Sequence, residues 1–335
     1  MMSEDINPSE FFYGFTATAD FSTVGKGICL AAASFGLIRS DDGGRTWQPA
    51  LESLSLSQPV PITSLVLSPD FARDGTILIG APGAVIRSED RGAYWTVFPL
   101  PSPPPVVSSL AISPEFQADG VILAGTMEDG IFYSNNRGEH WTSRNFGLLD
   151  LNVLCLGISP DFKTDGIILA GTDSGIFRST NGGRAWREVS LPGGYDPVIS
   201  LAFSPAFLVD AALFAGTESH GLLVSNDRGR TWRVLNDQEA DVPINGILVS
   251  PLFSQKPELM VLSGHHLRYS ADFGRHWIEG AMASRQDVEI QAIYALADDP
   301  DRPWLDHPLL IGLDGGKIRL TSGRDVLGAA DQNIP

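Results

Sequence analysis

Cysteine is almost missing from this chain: Cys29 and Cys155 are the only two in 335 residues, and each falls within its own apolar run. Two such residues cannot build a disulfide framework, and both read as small buried hydrophobes rather than reactive thiols. Long hydrophobic runs are missing as well. No stretch approaches the roughly 20 apolar residues that span a bilayer, so membrane insertion is not expected. The first ten residues are acidic and polar, without the basic start and apolar stretch of a secretory signal, and the cytoplasm is the expected location. Basic residues are scarce beside acidic ones. The 23 Lys and Arg against 40 Asp and Glu leave a formal charge of −17. A field of that sign repels phosphate backbones, so nucleic acid is not an expected partner.

What the chain has in quantity is turn chemistry and a repeat. Glycine numbers 35 and proline 23, while 43% of residues are hydrophobic and 19% charged, a balance with ample material for a core. The octapeptide Ser179-Thr-Asn-Gly-Gly-Arg-Ala-Trp186 returns at Ser40 to Trp47, Ser88 to Trp95, Ser134 to Trp141, Ser225 to Trp232 and Ser270 to Trp277, stepping by 48, 46, 45, 46 and 45 residues. A period of that length marks an array of one supersecondary unit.

A second element lies upstream of each octapeptide. Residues 109–126 match 155–172, 200–217 and 64–81, with looser copies at 14–33, 246–264 and 293–313, seven in all. Within one copy, Leu110 to Ser113 alternates like a half-buried strand until Pro114 removes a ladder donor. Asp119-Gly120 is a turn, Val121 to Ala124 a buried strand, Gly130 to Ser134 a third, and a fourth begins at Trp141. Four short antiparallel strands repeated seven times predict an all-β, seven-bladed β-propeller in a single domain. Its blades are expected near 14–50, 62–98, 108–144, 153–189, 198–235, 244–280 and 291–330. In the last copy the octapeptide has lost its Ser, Asp, Gly and Trp; the fourth strand of that blade is expected at 326–330, with residues before Phe11 as the alternative.

The octapeptides resemble the Asp box, or BNR repeat, of sialidases, sortilin-type receptors, xyloglucan-cleaving hydrolases and the photosystem II assembly factors, and the resemblance runs the whole length of the chain. It implies that the box is a structural hairpin turn on the outer part of the blade. The residues agree. Asp42, Asp90, Asn136, Asn181, Asp227 and Asp272 can accept backbone N–H groups within their own turns, and Trp47, Trp95, Trp141, Trp186, Trp232 and Trp277 can wedge between blades. A calcium-loop reading of Asp41-Asp42-Gly43 is set aside because the other boxes replace these acids with Asn and Arg.

Calling the strands of a blade a to d from the centre outward, the a–b segments and the boxes share one face. The b–c turns and d–a linkers share the other, where the copies differ and a binding site is expected. Its candidates are Phe35, Glu128, Asp129, Asp173, Glu218, His220, His265, His266 and Asp314. Glu218, His220, His265 and His266 are the best metal or acid–base grouping, although as turn residues they read more simply as solvated. No metal or cofactor is expected. The linker Pro99-Leu-Pro-Ser-Pro-Pro-Pro105 reads as a stiff spacer before it reads as a polyproline ligand.

Two functions follow. The favoured one is a non-catalytic scaffold that binds another protein, basic or polar, through the acidic b–c face. The alternative is a glycoside hydrolase or carbohydrate-binding propeller of the Asp-box type. A sialidase site lacks support, since no Phe-Arg-Ile-Pro segment appears near the N-terminus. A xyloglucanase-like site needs two carboxylates about 5 to 9 Å apart, for which Asp129, Asp173 and Glu218 are available. No catalytic residue is assigned, and the expectation is that the chain is not an enzyme.

Overall fold

The computed structural model describes residues 10–18, 27–101, 103–235, 242–280, 289–296 and 302–328. They form seven antiparallel sheets, six of four strands and one of three, each built from consecutive strands in order. Blade three is typical: strand a is Val107–Ile112, b is Ile122–Thr126, c is Gly130–Ser134 and d is Thr142–Ser143. Strand b is buried along its whole length because blades cover both its faces, which explains its continuous apolar run. Strand d is exposed and short. The a strands touch their neighbours around the ring, and that of blade one, Phe12–Ala17, also meets that of blade seven, Ile290–Ala295. This is a seven-bladed β-propeller.

Seven apolar clusters hold it, each formed by two consecutive blades. Leu123 and Ile131 of blade three pack with Ile168, Phe177 and Trp186 of blade four. Phe12, Phe15 and Ala31 of blade one pack with Ala292 and Leu310 of blade seven and so close the ring. The Ala-Gly-Thr ending of strand b serves this contact. A Cβ on Gly125 would lie 2.6 Å from a Val153 methyl, and one on Gly216 2.3 Å from the Ile244 carbonyl, both in the following blade. Nearby, Ser200 Oγ donates to that Ile244 carbonyl at 2.7 Å, and Ser108 and Thr63 donate to Val153 and Val107 in the same way.

The a–b segments are not plain turns. Each of Phe71–Asp74, Phe116–Asp119, Phe162–Asp165 and Phe207–Asp210 is a single helical turn. In the first, Ser68 Oγ donates to Asp74 at 2.6 Å, the other Asp74 oxygen accepts the Thr76 N–H, and Gly75 ends the turn at positive φ. The Phe opening the segment is buried in blades two, three and five.

Blade seven departs from expectation. Val326 lies in a helix, Gly323–Leu327, not in a fourth strand. Ser322 caps it, accepting the Asp325 N–H at 3.1 Å and donating to the Asp325 carboxylate at 2.7 Å, a local signal that outweighs the strand-like residues after it. Val326 and Leu327 bury themselves with Leu267, Tyr269 and Trp304. Residues 329–330 and 1–9, on which the two strand readings depend, lie outside the described residues.

Candidate functional site

The boxes use their polar groups internally. Asp42 Oδ1 accepts from Ser40 Oγ at 2.7 Å and from the N–H groups of Arg45 and Thr46 at 2.9 Å, while its Oδ2 accepts from Thr46 Oγ1. These bonds, led by that of the Thr46 hydroxyl, hold the Asp42 carboxyl well below the ordinary aspartate range. Asp227 repeats the pattern with Ser225, Arg230 and Thr231; partial burial opposes ionisation there, yet the hydrogen bonds prevail and its pKa falls to about 2.

The boxes also join blades. Trp186 Nε1 donates to the Arg144 carbonyl and Trp95 Nε1 to the Ala50 carbonyl, each at 2.7 Å and each in the preceding blade. In the other direction, the strand-c arginines Arg39, Arg87 and Arg178 donate to the carbonyls of Arg91, Arg137 and Arg228 in the next box. Blade three has Tyr133 at that position, and Arg144, just after strand d, substitutes, its guanidinium 3.2 Å from the Tyr133 ring centroid and bonded to the Gly182 carbonyl at 2.5 Å.

On the opposite face the b–c turns are fixed by residues that the sequence reading passes over. Asn152 receives the Glu128 N–H on Oδ1 and donates from Nδ2 to Asp173 Oδ2, both at 2.8 Å, so the turns of blades three and four are linked. Asp150 accepts the Ser174 N–H at 2.8 Å. One period later, Asp196 accepts the N–H groups of Ser219 and His220 and lies 2.7 Å from His220 Nδ1. Asp196 is only 3% exposed; burial alone would raise its pKa, but hydrogen bonds, led by that of the Thr217 hydroxyl and joined by those of Ser219 and His220, hold it below the ordinary range. The available signal is an Asp two or three residues ahead of strand a in four successive linkers, Asp150, Asp196, Asp241 and Asp287.

Glu128, Asp173, Glu218 and Asp314 are exposed on their turns, and Asp129 is half-buried with its carbonyl bonded to Asn145. Phe35 packs edge-on against Phe12, at 5.7 Å between centroids, and belongs to the seam between blades seven and one. The candidate grouping of Glu218, His220, His265 and His266 is not assembled, and each imidazole has its own carboxylate neighbour. His220 turns to Asp196, His265 approaches Glu289 at 3.8 Å, and His266 faces Glu279 at 4.0 Å. Among the described residues no three His, Cys, Asp or Glu side chains are placed to hold a metal ion. The proline run wraps the Pro82-Gly83 turn, with Gly83 N–H bonded to the Pro105 carbonyl at 2.9 Å. The linker stretches 236–241 and 284–287 lie outside the described residues.

A cavity of about 1030 Å³ opens on the box side, beside Asp41, Arg91 and the a–b segment of blade two. Its walls are mostly apolar, including Phe15, Leu65, Leu67, Ile112 and Tyr294. Among the described residues Asp41 is the one carboxylate lining it, and it is paired with Arg39 at 2.7 Å, so the described walls offer no pair of carboxylates for hydrolysis.

The chain carries a BNR/Asp-box repeat. That family matches at residues 38–49, the first box. Among curated proteins none matches the sequence. Solved structures share the fold. A YCF48 bound to D1 peptide is 18% identical with a TM-score of 0.66, covering 94% of each chain. The GH74 xyloglucanase of Xanthomonas campestris is 17% identical with a TM-score of 0.74, covering 99% of this chain and 54% of that one. The extracellular domain of a putative one-component system of B. thetaiotaomicron is 16% identical with a TM-score of 0.67, covering 93% of this chain and 38% of that one. The chain thus spans nearly all of the YCF48 and about half of the xyloglucanase.

Two expectations are corrected. The chain is expected above not to be an enzyme, yet a xyloglucanase has this fold over 99% of the chain, so that expectation falls. The cytoplasmic placement falls too, because the same fold forms an extracellular domain in the B. thetaiotaomicron protein. No helix among the described residues is long and apolar enough to cross a membrane.

Proposed function

We propose that the chain is a glycan-directed propeller of the glycoside hydrolase type, with its b–c face as one wall of a polysaccharide cleft and Asp173 as the carboxylate of that wall. The supporting observation is the Asn152–Asp173 hydrogen bond. It holds an exposed carboxylate at a fixed point of a turn that Asp150 anchors, which is what proton transfer at a glycosidic oxygen requires. A second carboxylate about 5 to 9 Å away would come from a facing module, in keeping with the chain's match to about half of the xyloglucanase. Electrophoresis through gels containing xyloglucan tests the reading. Retardation of the protein is expected, weakened by Asp173→Asn, and any release of reducing ends is lost in that variant. Unretarded migration together with no reducing ends overturns it.

A second reading is favoured by the exposed apolar side chains Phe146, Leu149 and Leu151, which lie in the linker between blades three and four. With Glu128 and Asp173 nearby they would suit a peptide bearing basic and apolar residues, and the coextensive YCF48 structure holds a peptide. Paired Phe146→Ser and Leu149→Ser substitutions separate the two readings: they abolish peptide capture if it occurs and leave xyloglucan retardation intact.

A further inference from the structure

Tyr195 is 76% exposed although it is an aromatic residue in a tightly held loop. Asp196 follows it, buried, and fixes the b–c turn of blade five through the N–H groups of Ser219 and His220. The same carboxylate accepts His220 Nδ1, which sets the neutral imidazole as the Nδ1–H tautomer with Nε2 as an acceptor. The ring lies against Gly193, where a Cβ would come within 2.6 Å of Nε2, so only glycine leaves it room. Glu218 stands exposed on the same turn.

We infer that Tyr195, His220 and Glu218 form a subsite for a neutral sugar ring, a reading that rests on the glycan function proposed above. A pyranose presents an apolar C–H face and a rim of hydroxyls. An exposed aromatic ring matches the first, and an imidazole acceptor and a carboxylate held by fixed backbone match the second. Charge selects the class of sugar. The segments 190–197 and 218–221 contain no Lys or Arg, and neither do the turns at residues 34–35, 82–83, 127–129, 173–174, 264–265 and 314–316. Uronic or sialic acids would find no cation on these turns and would meet Glu128, Asp173, Glu218 and Asp314 instead.

The test titrates a xyloglucan heptasaccharide and, separately, oligogalacturonate into the protein, following the His220 imidazole signals by NMR and the affinity by calorimetry. Saturable His220 shifts with the neutral sugar alone are expected. Tyr195→Ala should weaken that binding roughly tenfold, about 1.4 kcal/mol. Gly193→Ala, which displaces the ring but keeps every ligand group, should weaken it as well. If the wild type binds the heptasaccharide but Tyr195→Ala and Gly193→Ala bind it equally, the subsite is wrong while the glycan function stands. Stronger binding of oligogalacturonate also overturns the subsite. If no glycan binds the wild type, the glycan function itself fails, and the subsite with it.

Discussion

Trp186 Nε1 donates to the carbonyl of Arg144, 42 residues earlier and one blade back, at 2.7 Å. The indole therefore serves two blades at once, filling the apolar seam with Leu123 and Ile168 while satisfying a carbonyl at its edge. Trp141, at the same position of the preceding box, is buried without a hydrogen-bond partner for Nε1 among the described residues.

The contrast yields an ordered stability series. Trp186→Ala should cost about 3–5 kcal/mol by emptying the seam. Trp186→Phe should cost clearly more than Trp141→Phe, because only the former gives up a formed hydrogen bond, a difference of about 1 kcal/mol. Urea unfolding of the variants checks the order; equal costs for the two Phe variants would contradict it.

Arg144 does in blade three what strand-c arginines do elsewhere. Arg144→Ala should destabilise by about 1.5–3 kcal/mol, the range for a hydrogen bond to a charged group. Adding Tyr133→Arg should restore part of the loss by re-creating the pattern of Arg87 and Arg178. Thermal melts of the single and double variants measure the rescue.

Acid stability should report the boxes. Asp227 and Asp272 have folded-state pKa values of about 2, below the ordinary 3.8. Their stabilisation is therefore complete above about pH 4 and is lost as the pH falls through about 2. Asp227→Asn keeps the acceptor that Asn136 and Asn181 supply in their own boxes, so it should fold normally at neutral pH and flatten the acid limb of a plot of Tm against pH.

Blade five ends its a–b turn with Ala211 at φ 55, where blades two, three and four use Gly75, Gly120 and Gly166. A side chain there is strained by about 1–2 kcal/mol, partly offset by the entropy that glycine loses on folding. Ala211→Gly should stabilise by roughly 0.5–1 kcal/mol, seen as a raised urea midpoint.

Much of this architecture was legible because each blade repeats it. Ser, Asp or Asn, Gly and Trp recur at one spacing, and the apolar runs of strand b recur with them, so periodicity alone counts the blades. What did not repeat was hidden. The Ser322 cap that turns Val326 into a helix occurs once, and nothing in a strand-like run announces it. The b–c face was harder still, since Asn152, Asp150 and Asp196 act through contacts across about 20 to 25 residues of chain, for example Asn152 with Asp173 at a separation of 21. The histidine partners were hidden for the same reason: His220 and His265 share a face, but a buried Asp196 claims one and Glu289 draws the other.

In the proposed function ligand meets the b–c face and the boxes only build the ring. Hydrogen–deuterium exchange with and without xyloglucan oligosaccharide tests it directly. Slowed exchange confined to residues 127–130, 173–175 and 218–221 is the predicted result. Protection centred on the boxes, such as 42–47 or 181–186, would contradict it.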